Sequence, residues 1–138
     1  MRLGALLLLG CLAAACFAED PKPASIRGTL LQRPGKPPAI ETPDRHVVSL
    51  DADAPTQGVL NDKRLGGFDL EVKGHFTSPD QFLVDPIHTK AMFVHRDGHV
   101  KVITYWCDTC SIRTYTPGPC WCCQKETILD LRDPDEDH

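Results

Sequence analysis

Five cysteines crowd into seventeen residues near the end of this 138-residue chain, and that crowding constrains its fold more than any other feature. They stand as Trp106-Cys107-Asp108-Thr109-Cys110 and, nine residues later, Pro119-Cys120-Trp121-Cys122-Cys123. A CxxC turn can aim two thiolates at one point, and two such turns supply the four soft ligands of a tetrahedral metal site. Cys107, Cys110, Cys120 and Cys123 are therefore the candidate ligands, with Cys122 as the alternative fourth. The donor set suits zinc first, with iron and copper(I) as further thiolate-bound metals. Four thiolates leave no open position for water, so such a site is structural rather than catalytic. The gap between the turns has room for a strand over Ser111 to Tyr115 and a return turn at Thr116-Pro117-Gly118-Pro119.

The other end of the chain bears on the redox state of those thiols. Met1-Arg2 precedes an apolar run from Leu3 to about Ala15, the charged and hydrophobic regions of a secretory signal. The run falls short of the roughly 20 apolar residues that span a bilayer. Small residues at Cys16 and Ala18 place cleavage after Ala18, leaving Glu19 as the new N-terminus. Alternatively, Ala13-Ala14-Ala15-Cys16 resembles a bacterial lipobox, which implies a lipid on Cys16 and a membrane anchor. Either way the chain is expected to be exported, to the periplasm or the medium, where thiols meet oxidants. The competing reading of the cluster is then a scaffold stapled by two disulfides. An odd number of thiols and the vicinal pair Cys122-Cys123 fit that reading less well.

Charge narrows the partners. The chain has 15 Lys and Arg against 19 Asp and Glu; Arg2 is the one charged residue of 1–18, so cleavage takes the net charge from −4 to −5. No basic block appears, and an acidic domain repels phosphate backbones, so no nucleic-acid partner is expected. No protein partner is legible.

Between the ends, short apolar runs are broken by Gly, Pro and Asp, the punctuation of strands and turns. Residues 19–24 form a flexible lead. Residues 25–131 form a single β-rich domain that includes the cluster at 107–123, and residues 132–138 form an acidic tail. Strands are expected at Ser25–Leu31 with a bulge or bend at Gly28, at Val47–Leu50, and at Gly58–Leu60. A loop or helical turn should follow between Asn61 and Gly67. Phe68, Leu70 and Val72 alternate with Asp69, Glu71 and Lys73, the signature of a strand with one dry face. Asp97-Gly98 between two β-branched and aromatic runs predicts a two-residue hairpin with Arg96 opposite His99 and His95 opposite Val100. That register puts His95 and His99 on opposite faces, so they cannot share an ion, and His88, His95 and His99 read as ordinary histidines. Asp51 and Asp53 read as turn formers rather than a carboxylate pair. A last short strand runs from about Glu126 to Leu131. No phosphate loop, serine elbow or HExxH helix occurs.

This strand rhythm from about Ser25 to Val84 is similar to that of an OB-fold, which implies a small Greek-key barrel; a sandwich is the other mainly-β arrangement it fits. The hairpin then leads into a zinc-ribbon-like cluster. The whole resembles small exported bacterial proteins that join an OB-like domain to a C-terminal CxxC…CxCC cluster, a resemblance that carries no activity. Trp106-Cys107-Asp108-Thr109-Cys110 also resembles the WCxxC site of thioredoxin-type oxidoreductases, which implies redox chemistry at Cys107 and Cys110. That family needs a helix after its second cysteine. Here Ser111-Ile112-Arg113-Thr114-Tyr115 is β-branched and soon broken by Pro117. Trp106 and Trp121 flank the cluster and would shield it. N-terminal sequencing of the exported protein should begin at Glu19; a retained, lipid-modified Cys16 would show the anchored form instead.

Overall fold

The computed structural model describes residues 21–136, so the expected signal segment, the expected cleavage site and Cys16 lie outside the described residues. The strands are Ala24–Leu31 (β1), Ala39–Glu41 (β2), Val47–Asp51 (β3), Asp69–Ser78 (β4), Gln81–Val84 (β5), Met92–Arg96 (β6), His99–Cys107 (β7), Ile112–Thr114 (β8) and Ile128–Arg132 (β9). Two short helices, Ala54–Leu60 (α1) and His88–Ala91 (α2), interrupt them.

The first five strands close on themselves. β1 pairs with β4 over Ala24–Thr29 and with β2 over Thr29–Leu31, both antiparallel. β2 pairs with β3, β3 runs parallel to β5, and β5 returns antiparallel to β4. The cyclic order β1-β2-β3-β5-β4, with a helix between β3 and β4, is the topology of the OB-fold barrel, and the sandwich alternative is excluded. Gly28 does not bulge; it sits where β1 passes from one partner to the other. A Cβ there would lie 2.1 Å from the carbonyl oxygen of Glu41. Gly74 serves β4 in the same way, with the carbonyl of Leu83 at 1.9 Å from a Cβ position. Both glycines are required by close backbone approach rather than by unusual dihedrals.

Alternating residues of these strands, among them Leu30, Ile40, Val48, Leu50, Leu70, Val72, Phe82 and Val84, fill the interior. The expected strand at Gly58–Leu60 is instead the last turn of α1. Asp53 accepts the Thr56 N–H at 3.0 Å as the N-cap, Pro55 occupies the first turn, and Thr56, Val59 and Leu60 are buried together. That i, i+3, i+4 spacing is helical, and tertiary burial of Val59 and Leu60 overrides the weak helix propensity of Gly58. A single 3₁₀ turn at Lys63–Leu65 then inserts the fully buried Leu65, within the loop expected there.

The remaining strands extend the barrel wall toward the cysteines. β6 lies antiparallel to β4, with Val94 opposite Leu70 and Met92 opposite Val72. Asp97 and Gly98 adopt φ of 52° and 76°, and the hairpin has the expected register, Arg96 opposite His99 and His95 opposite Val100. β7 outlasts β6: beyond Lys101 it pairs with β9 from Val102 to Trp106 and with β8 from Tyr105 to Cys107. Its inner residues Ile103 and Tyr105 join the barrel core, so one strand carries the chain from the core to the first cysteine. Gly74→Ala is expected to cost about 3 kcal/mol in urea unfolding, through overpacking against backbone. Gly58→Ala, with open space around it, should instead stabilise by about 0.5–1 kcal/mol.

Candidate metal centre

Cys107 is the last residue of β7, where the register with Ile112 of β8 opens into a tight turn. The chain reverses over Asp108–Cys110, and the Cys110 N–H points at Cys107 Sγ, 3.4 Å away. Ser111 then takes φ of 51°, a left-handed conformation that lets the backbone turn back into β8. The second turn repeats this construction. Cys120 follows the bridge between Pro119 and Glu126, its N–H donates to the Lys125 carbonyl at 2.7 Å, and Gln124 N–H returns to the Cys120 carbonyl at 2.8 Å. Gln124, directly after Cys123, takes φ of 63°. Both turns therefore read Cys-x-x-Cys followed by one left-handed residue, a position that Gly would fill with less strain.

The two turns face each other. One sulfur from each of Cys107, Cys110, Cys120 and Cys123 lies within 4.8 Å of all the others. All five cysteines are free, and Cys107 Sγ and Cys123 Sγ stand 3.5 Å apart, against about 2.05 Å in a disulfide. A tetrahedron with Zn–S bonds of about 2.3 Å has sulfur–sulfur edges of about 3.8 Å. The cluster thus has the dimensions of a metal-thiolate site, and its donors could bind a metal ion. Cys122 lies outside the four-sulfur group and is exposed, while Cys107 and Cys120 are buried.

The polar surroundings sort the thiols. N–H groups of Cys123 and then Cys122 hydrogen-bond the Cys120 sulfur, outweigh its burial, and bring its pKa down to about 7. At Cys107 the Cys110 N–H acts in the same direction, but burial and the neighbouring thiols of Cys123 and Cys120 prevail and the pKa is raised. Cys110 is raised strongly, first by its contact with the Cys122 thiol and then by burial. Four thiols so close cannot all ionise without a cation among them, because each thiolate raises the cost of the next.

The redox reading finds little support in this geometry. Cys110 leads into a turn and a strand rather than a helix, and Cys107 is buried with a raised pKa, the reverse of an activated thiolate. The three histidines also stay apart from the sulfurs. His88 is buried with Nε2 at 3.0 Å from the Ile103 carbonyl, and burial lowers its pKa. His95 Nε2 meets Glu71 Oε1 at 3.0 Å, and His99 is exposed. Asp53 is a helix cap, and Asp51 accepts the N–H of Ala52. Trp121 is 72% exposed, so it does not shield the cluster; Trp106 is half-buried beneath the Arg113 guanidinium, 5.0 Å from its ring centroid.

Residues that the sequence did not single out attach the cysteine lobe. Arg113 on β8 donates through Nη1 to Thr104 Oγ1 and Asp130 Oδ2, both at 2.7 Å, strapping β7, β8 and β9 together. Arg64 binds Asp62 on one side and donates to the Thr127 carbonyl at 2.9 Å on the other; Thr127 Oγ1 donates to the Gly118 carbonyl. These contacts span up to 63 residues of chain, and no local pattern announces them. Comparison of the chain with protein-family models, with curated proteins and with solved structures finds no match. What stands is a class: a closed OB-type barrel that carries a four-cysteine cluster on an extended strand. Alkylation of the folded protein should modify Cys122 first, and Cys122→Ser should keep full metal stoichiometry while Cys123→Ser loses it, as measured by elemental analysis.

Proposed function

We propose that this protein is an exported β-barrel binding module whose C-terminal lobe is held by one structural zinc ion on Cys107, Cys110, Cys120 and Cys123. The observation that carries this reading is the convergence of those four sulfurs from two turns of the same geometry. Zinc suits a closed thiolate site because it has no redox chemistry and accepts tetrahedral sulfur without preference. Bound there, it supplies charge that lets all four thiols ionise and a cross-link between the end of β7 and the turn before β9. The chain's own residues prepare that state. The Cys110 and Cys123 N–H groups donate to the first sulfur of each turn and favour its thiolate. Arg113 and Arg64 hold the surrounding strands against the barrel. The role assigned to the ion is therefore support, and ligand recognition falls to the barrel.

The test is intact mass under native and denaturing conditions, with and without alkylation, on protein recovered from its exported compartment. One zinc lost on denaturation, with five thiols then alkylated, is the expected result. A mass lower by two or four hydrogens and no metal would replace the reading with the disulfide scaffold. Cys110→Ser should lose the metal and unfold the lobe beyond Cys107, because metal binding free energy is folding free energy in such sites. His95→Gln should keep both metal and fold.

A further inference from the structure

Half of the Lys and Arg side chains among the described residues are engaged by an acid or an aromatic ring. Arg27, Arg64, Lys101, Arg113 and Arg132 hold carboxylates, while Lys73 and Arg96 lie over the rings of Phe93 and Phe68. Lys22, Arg33, Lys36, Arg45, Lys63, Lys90 and Lys125 have no ion-pair partner among the described residues, and three of these, Arg33, Lys36 and Lys63, line one cavity of about 440 Å³. No acidic side chain lines it. The one carboxylate adjacent in sequence, Asp62, is not part of the lining and is held by Arg64.

The arrangement is built by the backbone. Arg33-Pro34-Gly35-Lys36 is a β-turn, closed by the Lys36 N–H on the Arg33 carbonyl at 3.1 Å, with Gly35 at φ 69° as the third residue. Pro then Gly at the central positions is the type II pattern, and it brings the first and fourth residues within about 7 Å at Cα. Gln32 pins this loop to the opposite wall by donating Nε2 to the carbonyls of Leu60 and Asp62, both at 2.8 Å. The 3₁₀ turn that begins at Lys63 delivers the third cation. Arg33 Nε is buried without a hydrogen-bond acceptor, as are the Tyr105 hydroxyl and Arg132 Nε, so the donors Arg33 offers to the cavity are its terminal Nη groups.

We infer that this cavity binds a small molecule bearing a phosphate or sulfate group. Three cations match a tetrahedral dianion, and the guanidinium offers parallel N–H donors to two of its oxygens. Pro34 and Pro38 give the cavity an apolar wall for the organic part of the ligand. No aromatic ring lines it, so there is no platform on which a base would stack, and the ligand class is a small ester rather than a nucleic-acid strand.

The test is a titration of the full mature protein, with its metal, against inorganic phosphate and separately against sulfate, followed by backbone amide NMR. Saturable shifts confined to the amides of Gln32, Arg33, Gly35 and Lys36 and of Asn61, Asp62 and Lys63 are expected. Comparing the two anions shows which group the site prefers. Arg33→Gln should weaken binding at least about tenfold, or about 1.4 kcal/mol. The exposed double change Lys36→Gln with Lys63→Gln should do the same without touching the core. Arg45→Gln, which removes an unpaired cation elsewhere, should change nothing. Shifts spread evenly over Arg45, Lys90 and Lys125, no saturation, or unaltered binding by the Lys36→Gln, Lys63→Gln protein would overturn the inference.

Discussion

β1 is shared by two neighbours, and the rest of the molecule depends on that sharing. Ala24–Thr29 completes the ladder of β4 while Thr29–Leu31 begins the ladder of β2, so a single strand closes the sheet on itself. The strand must bend where its partners change, and the carbonyl of Glu41 then comes closer to Gly28 than any side chain would allow. Closure creates an inside. Only once it exists do Leu30, Ile40, Leu70 and Phe82 share one core, with Leu65 and the buried face of α1 packed against it. An open sheet would have left those residues without partners and two edges exposed to other chains.

The cysteine lobe inherits its position from that core through β7. Ile103 and Tyr105 are packed with the barrel, and two residues beyond Tyr105 the strand ends at Cys107. A partly buried polar bridge reinforces the attachment. Asp62 is carboxylate-only in character: burial alone would raise its pKa, but hydrogen bonds from Arg64 overcome this and lower it. The same guanidinium covers the Tyr105 ring at 5.2 Å and reaches the Thr127 carbonyl. The Tyr105 hydroxyl is buried beside Asp62 without a well-aligned hydrogen bond, and burial, followed by that carboxylate, pushes its pKa far upward. It remains a neutral phenol, which is the form a buried site next to a carboxylate tolerates.

Two features legible in the sequence share one physical basis, short range. Asp97-Gly98 sets a hairpin because both residues reach positive φ, and the alternation from Phe68 to Lys73 marks one dry face; both signals lie within a few residues of what they determine. The pairing of CxxC turns was legible for the same reason. The assignment between Cys122 and Cys123 was not, since either spacing can be drawn on paper. In the fold Cys123, followed by the left-handed Gln124 as Cys110 is by Ser111, is the one that joins the four-sulfur group. The helix α1 is masked in the sequence because Gly58 weakens its propensity, and its signal there is the cap Asp53 with the apolar pair Val59 and Leu60.

By itself, then, the sequence determined the class of fold, the hairpin and the five thiols from which a site could be drawn, because each rests on local backbone preference or on residue chemistry. Only the tertiary structure decided which strands are neighbours, that the sheet closes, which four sulfurs converge, and that Arg33, Lys36 and Lys63 face one cavity. Those outcomes depend on contacts between residues far apart in the chain. β3 beside β5 and Arg64 against Thr127 are examples, and their stability comes from burial shared across the whole core rather than from any segment read alone.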